Sequence, residues 1–385
     1  MRHSLAPATV ASAPYVSARR ISSVAPVRRS DFSRLETFRR SYDLQGFSRS
    51  AIELFLAGCR SNTNAAYESA WVNWRNWCVE RNSDPLRSDL ALISAFLAQL
   101  HTFGKSYSTI NLHRSMLSTT LPSIDGIPIG QHPLVIRLLK GCYNRNAPKP
   151  RYDSTWDPSR VIQFMSSLGN NELIPLPNLS GKLVTLLALA TLLRVSELAS
   201  IAFSSVKLSQ NSVRFALSKP RKAQRNGSLQ TFTLAACPDQ NTCPVETLRS
   251  YIDHTSANRP PGPDSMLFIS LVVPFRAVTG NSIGRWVKTF LKSAGVDTEI
   301  FSAHSTRNAA SSLAVAKGIS IDKILQAGNW ATQTTYNIRS IGFCRCLSFK
   351  VTLRIEQNVF CCTIENYQSD RSAITIDNYN CTKKE

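Results

Sequence analysis

The longest apolar run in the chain, Leu183 to Leu193, is interrupted only by threonines and ends on a charge, Arg194, in LLALATLLRVSELASI. A bilayer span needs ~20 apolar residues, so this run predicts a helix buried in a protein core and ending at Arg194. A guanidinium there is costly unless it is paired or kept for a ligand. A second constellation stands downstream in FSAHSTRNAASS, where His304 and Arg307 lie three residues apart. At helical spacing the two share a face. Together they can grip one anionic group, the arginine by a two-pronged hydrogen bond and the histidine by a single one. Trp330 follows in a Gly-Asn-Trp turn, after the apolar pattern Ile321, Ile324, Leu325.

The 385 residues predict two domains or slightly more. An apolar content of 43% with 9% aromatics is enough for ordinary cores, so most of the chain is expected to be globular. The 45 basic residues against 25 acidic ones give a formal charge of +20, which calls for a polyanionic partner. No membrane partner is expected. Of the ten cysteines, five fall at or after Cys344. Cys59, Cys78, Cys142, Cys237 and Cys243 are scattered, without a C-x-x-C pair or a histidine at zinc spacing. They read as reduced, mostly buried thiols.

Residues 1–44 hold the doublets Arg19-Arg20, Arg28-Arg29 and Arg39-Arg40 and no acid before Asp31. They read as a basic flexible arm suited to phosphate contacts, with a mitochondrial transit peptide as the alternative. From 45 to 148 the pattern is helical. Tyr67, Trp71, Trp74 and Cys78 make one apolar face, and Leu90, Ile93, Leu97 and Leu100 make another. Further helices are expected from about Ser106 and over Pro133–Tyr143. The Trp71/Trp74/Trp77 cluster reads as core, and basic residues such as Arg81, Arg114 and Lys140 as solvent-facing DNA-backbone contacts. Asn146–Tyr152, with two prolines, is the expected linker.

The second domain, 149–337, should open with a helix after Asp157-Pro158. Val213, Phe215 and Leu217 alternate, as do Phe232 and Leu234, around the polar SKPRKAQRNGS; this predicts a hairpin with a basic tip. Helices should follow over Pro244–His254 and Ser282–Leu291. The fold class is therefore mainly α with a small β-sheet (α+β). Residues 338–385, Cys-rich at first, form an atypical C-terminal tail.

Arg194 in RVSEL, a hairpin lysine, His304-Ser-Thr-Arg307 and Trp330 come in the order of the tyrosine recombinase (phage-integrase-like) family, which the chain resembles over roughly residues 45–337. The texture of WRNWCVERN, GIPIGQHPLVIRLLKG, PRYDSTWD and CPVETLRSYI is similar to the recombinases of DIRS-type retroelements. The resemblance implies a helical core-binding (SAM-like) domain at 45–148 followed by an integrase-like catalytic domain. It implies DNA recombination and integration, with strands broken and rejoined through a 3′-phosphotyrosyl intermediate that needs neither cofactor nor metal. Arg194 and Arg307 would bind the phosphate, His304 would hydrogen-bond it or act as base, and Trp330 would donate its indole N–H. Lys219 would be the general acid, with Lys222 as competitor. The implied partner is double-stranded DNA, with self-association on it; the expected location is nuclear if the host is eukaryotic.

The family's nucleophilic tyrosine is expected at Arg339 or Ser340, and neither is Tyr; Tyr336 comes about one helical turn early. The alternative expectation is a catalytically degenerate recombinase that acts as a DNA-binding module.

The charge generates the first prediction. A protein making six to ten phosphate contacts loses roughly 10³–10⁵ in duplex affinity between 50 and 200 mM salt. Titration of a fluorescent duplex should show that slope; a flat salt response would remove the polyanion reading.

Overall fold

The computed structural model describes residues 33–330, apart from 150, 153, 223, 225, 226, 261, 263 and 264, together with the backbone of a hairpin over 350–356 and 359–365. The chain divides into two compact units, Met1–Pro150 and Arg151–Glu385.

Among its described residues the first unit holds six α-helices: α1 (Arg34–Leu44), α2 (Arg49–Ala57), α3 (Ser61–Val79), α4 (Leu90–Thr102), α5 (Tyr107–Thr120) and α6 (Pro133–Arg145). Side chains cap several N-termini: Ser33, Ser48, Asp89 and Ser106 each accept from a backbone N–H in the first turn. The three tryptophans of α3 lie in the core with Ile93, Phe96, Leu97 and Ile110. Trp74 stacks on Trp77 at 5.6 Å and meets the edge of Phe96 at 5.1 Å. Its indole N–H donates to Pro85 O over 2.8 Å, so burial leaves no polar group unpaired.

Residues 34–44 depart from the flexible arm expected there, because α1 is helical and tied down. Its first residue, Arg34, is buried. The Arg34 backbone N–H donates to both carboxylate oxygens of Glu68 (3.1 and 3.0 Å), and Nη2 donates to Asn64 Oδ1 (2.7 Å). The guanidinium lies 5.2 Å from the Tyr67 ring centroid. A lone arginine in a polar, basic stretch reads as solvent-facing; the acceptors that hold Arg34 lie 30 and 34 residues away and have no local signature. Two basic residues assigned to DNA contact also have structural partners. Arg81 stacks 4.0 Å over Trp77, and Arg114 donates to Gly130 O over 2.6 Å.

The second unit is arranged around α8 (Leu176–Thr191), whose residues Leu179 to Thr191 are all buried. Preceding it is α7 (Pro158–Ser167), capped by Asp157. The short α9 (Val195–Leu198) leads into an antiparallel sheet of β1 (Lys207–Leu208), β2 (Ser212–Ala216) and β3 (Thr231–Ala235), in that order. Val213 pairs with Leu234 and Phe215 with Phe232, which puts the alternating apolar residues on one face. Then come α10 (Pro244–Thr255), α11 (Gly280–Ser293), α12 (Ser305–Ala316) and α13 (Ile321–Gly328). The distal hairpin is β4 (Lys350–Glu356) with β5 (Val359–Glu365). Gly181 lets α11 approach α8, since a Cβ there would stand 3.0 Å from Phe290 Cδ2.

The apolar helix ends at Thr191, not at Arg194. Leu192 adopts a left-handed conformation (φ 53°) and turns the chain, so Arg194 sits at the N-cap of α9. This turn moves the charge out of the helix that carries the core. Among the described residues no helix is long and apolar enough to cross a membrane.

Truncating Trp74 should test the first core. Trp74→Ala removes a fully buried aromatic and its hydrogen bond, at a cost of about 3–5 kcal/mol. The expected outcome is early melting of helical signal from the first unit, with amide protection in α8 retained.

Candidate active site

Three arginines from distant parts of the second unit converge on one carboxylate. Glu197, in α9, receives Arg194 Nη1 at 2.7 Å on Oε1. On Oε2 it faces Arg221 Nη2 at 3.4 Å and Arg307 Nη1 at 3.8 Å. The Arg194 backbone N–H also donates to Glu197 Oε2 over 2.9 Å, closing the N-terminus of α9. Burial alone would raise the Glu197 pKa. The cations of Arg221 and Arg194, with the bond from the Arg194 backbone, outweigh it and hold the carboxyl below its usual range.

Arg307, in the first turn of α12, is 1% exposed. Its Nη2 donates to Gly328 O over 2.7 Å, at the end of α13. Its guanidinium carbon lies 4.6 Å from the Trp330 ring centroid, a cation–π contact away from bulk water. Nη1 is buried without a hydrogen-bond partner. Desolvation first, then the like charge of Arg194, pulls the Arg307 pKa down to about 9, against the opposing pull of Glu197. The group stays charged at neutral pH, and three guanidiniums share one carboxylate. The positive charge is therefore under-compensated, and an incoming anion would complete it.

Trp330 is placed by backbone shape. Asn329 adopts a left-handed conformation (φ 50°) as the C-cap of α13. A Cβ on Gly328 would run into the Trp330 ring, so only glycine fits. The ring packs against the core as well as Arg307.

His304 immediately precedes α12 and is exposed, whereas Arg307 points inward. The expected shared helix face therefore splits into a surface imidazole and a buried guanidinium. Although part of the ring reaches the surface, the crowding of protein around it lowers the His304 pKa below the ordinary histidine value. The cations of Arg307, Arg194 and Arg151 add to this, and Glu197 opposes it. Arg151 had looked like a linker residue. The chain around it is fixed beside His304, because the Tyr152 hydroxyl bonds Ser302 Oγ (2.9 Å) and the Trp156 indole N–H donates to Ser305 Oγ (2.8 Å).

Two sequence expectations change. Arg194, expected in the buried helix, keeps a side chain 21% exposed, which leaves it reachable from solvent. The arginine that is wholly buried is Arg221, from the loop read as a basic tip. Lys219 and Lys222, on either side of it, are exposed and outside the ion-pair cluster. Tyr336, Arg339 and Ser340 lie outside the described residues. Among the described residues no group of His, Cys, Asp and Glu has the makings of a metal site. The arrangement can bind and polarise a tetrahedral oxyanion through guanidinium donors.

Residues 168–338 match the family described as Phage integrase family. This segment of the chain is similar to that family. Among solved structures, one similar chain is the XerH site-specific recombinase bound to palindromic difH substrate, at 15% identity and a TM-score of 0.49, covering 71% of this chain and 74% of that one. Another is the Tn1549 transposon integrase in complex with transposon right end DNA, at 14% identity and a TM-score of 0.49, covering 79% and 93%. A lambda integrase dimer bound to a COC′ core site gives 15% identity and a TM-score of 0.44, covering 83% and 98%. No curated protein matches the chain.

The His304 shift sets a pH dependence. The folded-state pKa lies below the ordinary histidine value of about 6.5, so the free protein loses stability as pH falls below that value, where the unfolded chain takes up the proton first. A bound phosphodiester adds negative charge and raises the same pKa. Duplex affinity should therefore increase as pH falls from 7.5 toward 5.5, with proton uptake on binding. His304→Gln should flatten that slope, as read by calorimetry in buffers of different ionisation enthalpy.

Proposed function

We propose that the chain is a DNA-binding, DNA breaking-and-rejoining recombinase whose second unit holds a scissile phosphodiester between Arg194 and Arg307. The observation that carries this reading is the buried Arg307 guanidinium, with Nη1 unsatisfied beside two further arginines that share its one carboxylate. A non-bridging phosphate oxygen supplies the acceptor that Nη1 lacks. In the five-coordinate transition state the added charge falls where the guanidiniums already point.

In this reading a tyrosine oxygen attacks phosphorus, and the bond to the 5′-oxygen breaks. His304 accepts the tyrosine proton, or hydrogen-bonds the phosphate, and Lys219 gives a proton to the departing oxygen. A second 5′-hydroxyl later reverses the exchange, so bond energy is conserved and no cofactor is required. Trp330 holds Arg307 by its ring face and offers its indole N–H to the phosphate. The partner is double-stranded DNA, with the basic helical unit 45–148 as a second DNA-binding domain and self-association on the duplex. Nuclear action in a eukaryotic host and a retroelement origin go with this reading and rest on the sequence texture.

A second reading has its own observation: the position expected for the nucleophile is Arg339 or Ser340, and Tyr336 is early by about one turn, 5.4 Å. A misplacement of even about 1 Å costs on the order of 10²-fold in rate. The chain would then bind and position DNA without cutting it.

A nicked suicide duplex separates the two, because an attacked strand stays covalently trapped and migrates slowly under denaturation. On the second reading wild type gives little adduct, and Ser340→Tyr or Arg339→Tyr should raise it. Arg307→Lys should abolish the adduct, since an ammonium cannot reproduce the planar fork. Abundant adduct from the unmodified chain, lost in Tyr336→Phe, would make Tyr336 the nucleophile and end the binding-module reading. Loss of the fold in Arg194→Ala would show that the arginine serves a structural ion pair instead.

A further inference from the structure

Arg221 stands in a loop whose neighbouring lysines face solvent, yet its own exposure is 0%. Burying a guanidinium is costly, and desolvation is the first cause of its lowered pKa, opposed by Glu197. The geometry shows what holds it there. Nη1 donates to Gln230 Oε1 (3.1 Å), just before β3, and to Ala327 O (3.2 Å). Nη2 donates to Glu197 Oε2 (3.4 Å) and to Gly328 O (3.2 Å). One side chain thus ties the β2–β3 loop to α9 and to the last turn of α13.

Two of these acceptors are shared with Arg307, which donates to Gly328 O and faces Glu197 Oε2. Arg221, Gly328 O, Arg307 and Glu197 form a closed ring. The loop is therefore anchored to the groups that hold the phosphate-binding guanidinium. The link from this anchor to Lys219 is short and stiff, since only Pro220 intervenes and its ring fixes φ. A lysine would not replace Arg221. Its single ammonium cannot spread donors over four acceptors on three segments.

We propose that Arg221 is a positioning residue that locks the Lys219 loop onto the arginine–Glu197 cluster and so sets where the Lys219 ammonium meets a bound phosphodiester. The inference rests on the recombinase reading for its ligand, but the lock itself needs no DNA. Arg221 does not touch the substrate; it acts through Lys219.

The test uses the full chain, as wild type, Arg221→Lys and Arg221→Gln. Amide exchange without DNA reads the lock, and acetylation of lysines with and without a 30-base-pair duplex at 50 mM salt reads its consequence. In Arg221→Lys, exchange at 218–222 and 327–330 should speed at least tenfold while α8 amides keep their protection. Duplex shielding of Lys219 should fall to less than half its wild-type value, with overall affinity within threefold. Unchanged loop exchange in both variants would overturn the lock. Faster exchange with wild-type shielding of Lys219 would reduce Arg221 to an ordinary structural bond. Loss of α8 protection in both variants would show that Arg221 serves the core, again overturning the proposal. A wild-type chain that binds no duplex would sink the recombinase reading, and the DNA-free exchange would still decide the lock.

Discussion

The second unit depends on one carboxylate. Glu197 is the common acceptor for guanidiniums from α9, the β2–β3 loop and α12. Each cation reaches it from a different part of the chain, so their convergence requires the sheet, α9 and α12 to be in place together. Removing one partner of a buried ion network strands the others at about 3–5 kcal/mol. Glu197 therefore cannot be read as a local partner of Arg194 alone, although that bond is the shortest of the three.

The cluster is also incomplete in charge, with three guanidiniums on one carboxylate, and an unpaired buried donor is costly. Here Arg307 Nη1 is left over, and the carboxylate that faces it at 3.8 Å is already engaged by the other two arginines. The cation–π contact with Trp330 and the bond to Gly328 O keep the guanidinium oriented without neutralising it. On the proposed reading, these electrostatics suit an anion, with the donors fixed before the ligand arrives. His304, whose pKa is lowered first by the protein packed around it and then by the cations of Arg307, Arg194 and Arg151, is the adjustable member.

Much of this was legible in the residues. The apolar pattern placed most of the helices of both units, because periodicity reports burial directly, but not α1, which lies in the stretch read as a flexible arm. The tryptophans of α3 fell on or beside the apolar face and are core. Arg194, His304 and Arg307 could be singled out because a charge in an apolar run, or a His and an Arg at helical spacing, is costly or improbable without a task; Trp330 was singled out by the family resemblance. What could not be read was where loop and terminal charges go. Arg34 and Arg221 both look like solvent-facing basics in polar stretches, and both are buried by acceptors remote in sequence. Lys219 and Lys222 look the same and are exposed.

The sequence alone determined the mainly helical class, the hairpin, the strong positive charge and the residue types available to bind an anion, since these follow from period, turn chemistry and composition. Only the tertiary structure decided which arginines share Glu197, which donor is left unsatisfied and which guanidinium is a buried tie. The physical reason is that a hydrogen bond between residues a hundred positions apart leaves no local pattern. Arg221 and Gly328 meet because α13 and the β2–β3 loop are brought together around the same core, and nothing near either residue encodes the other.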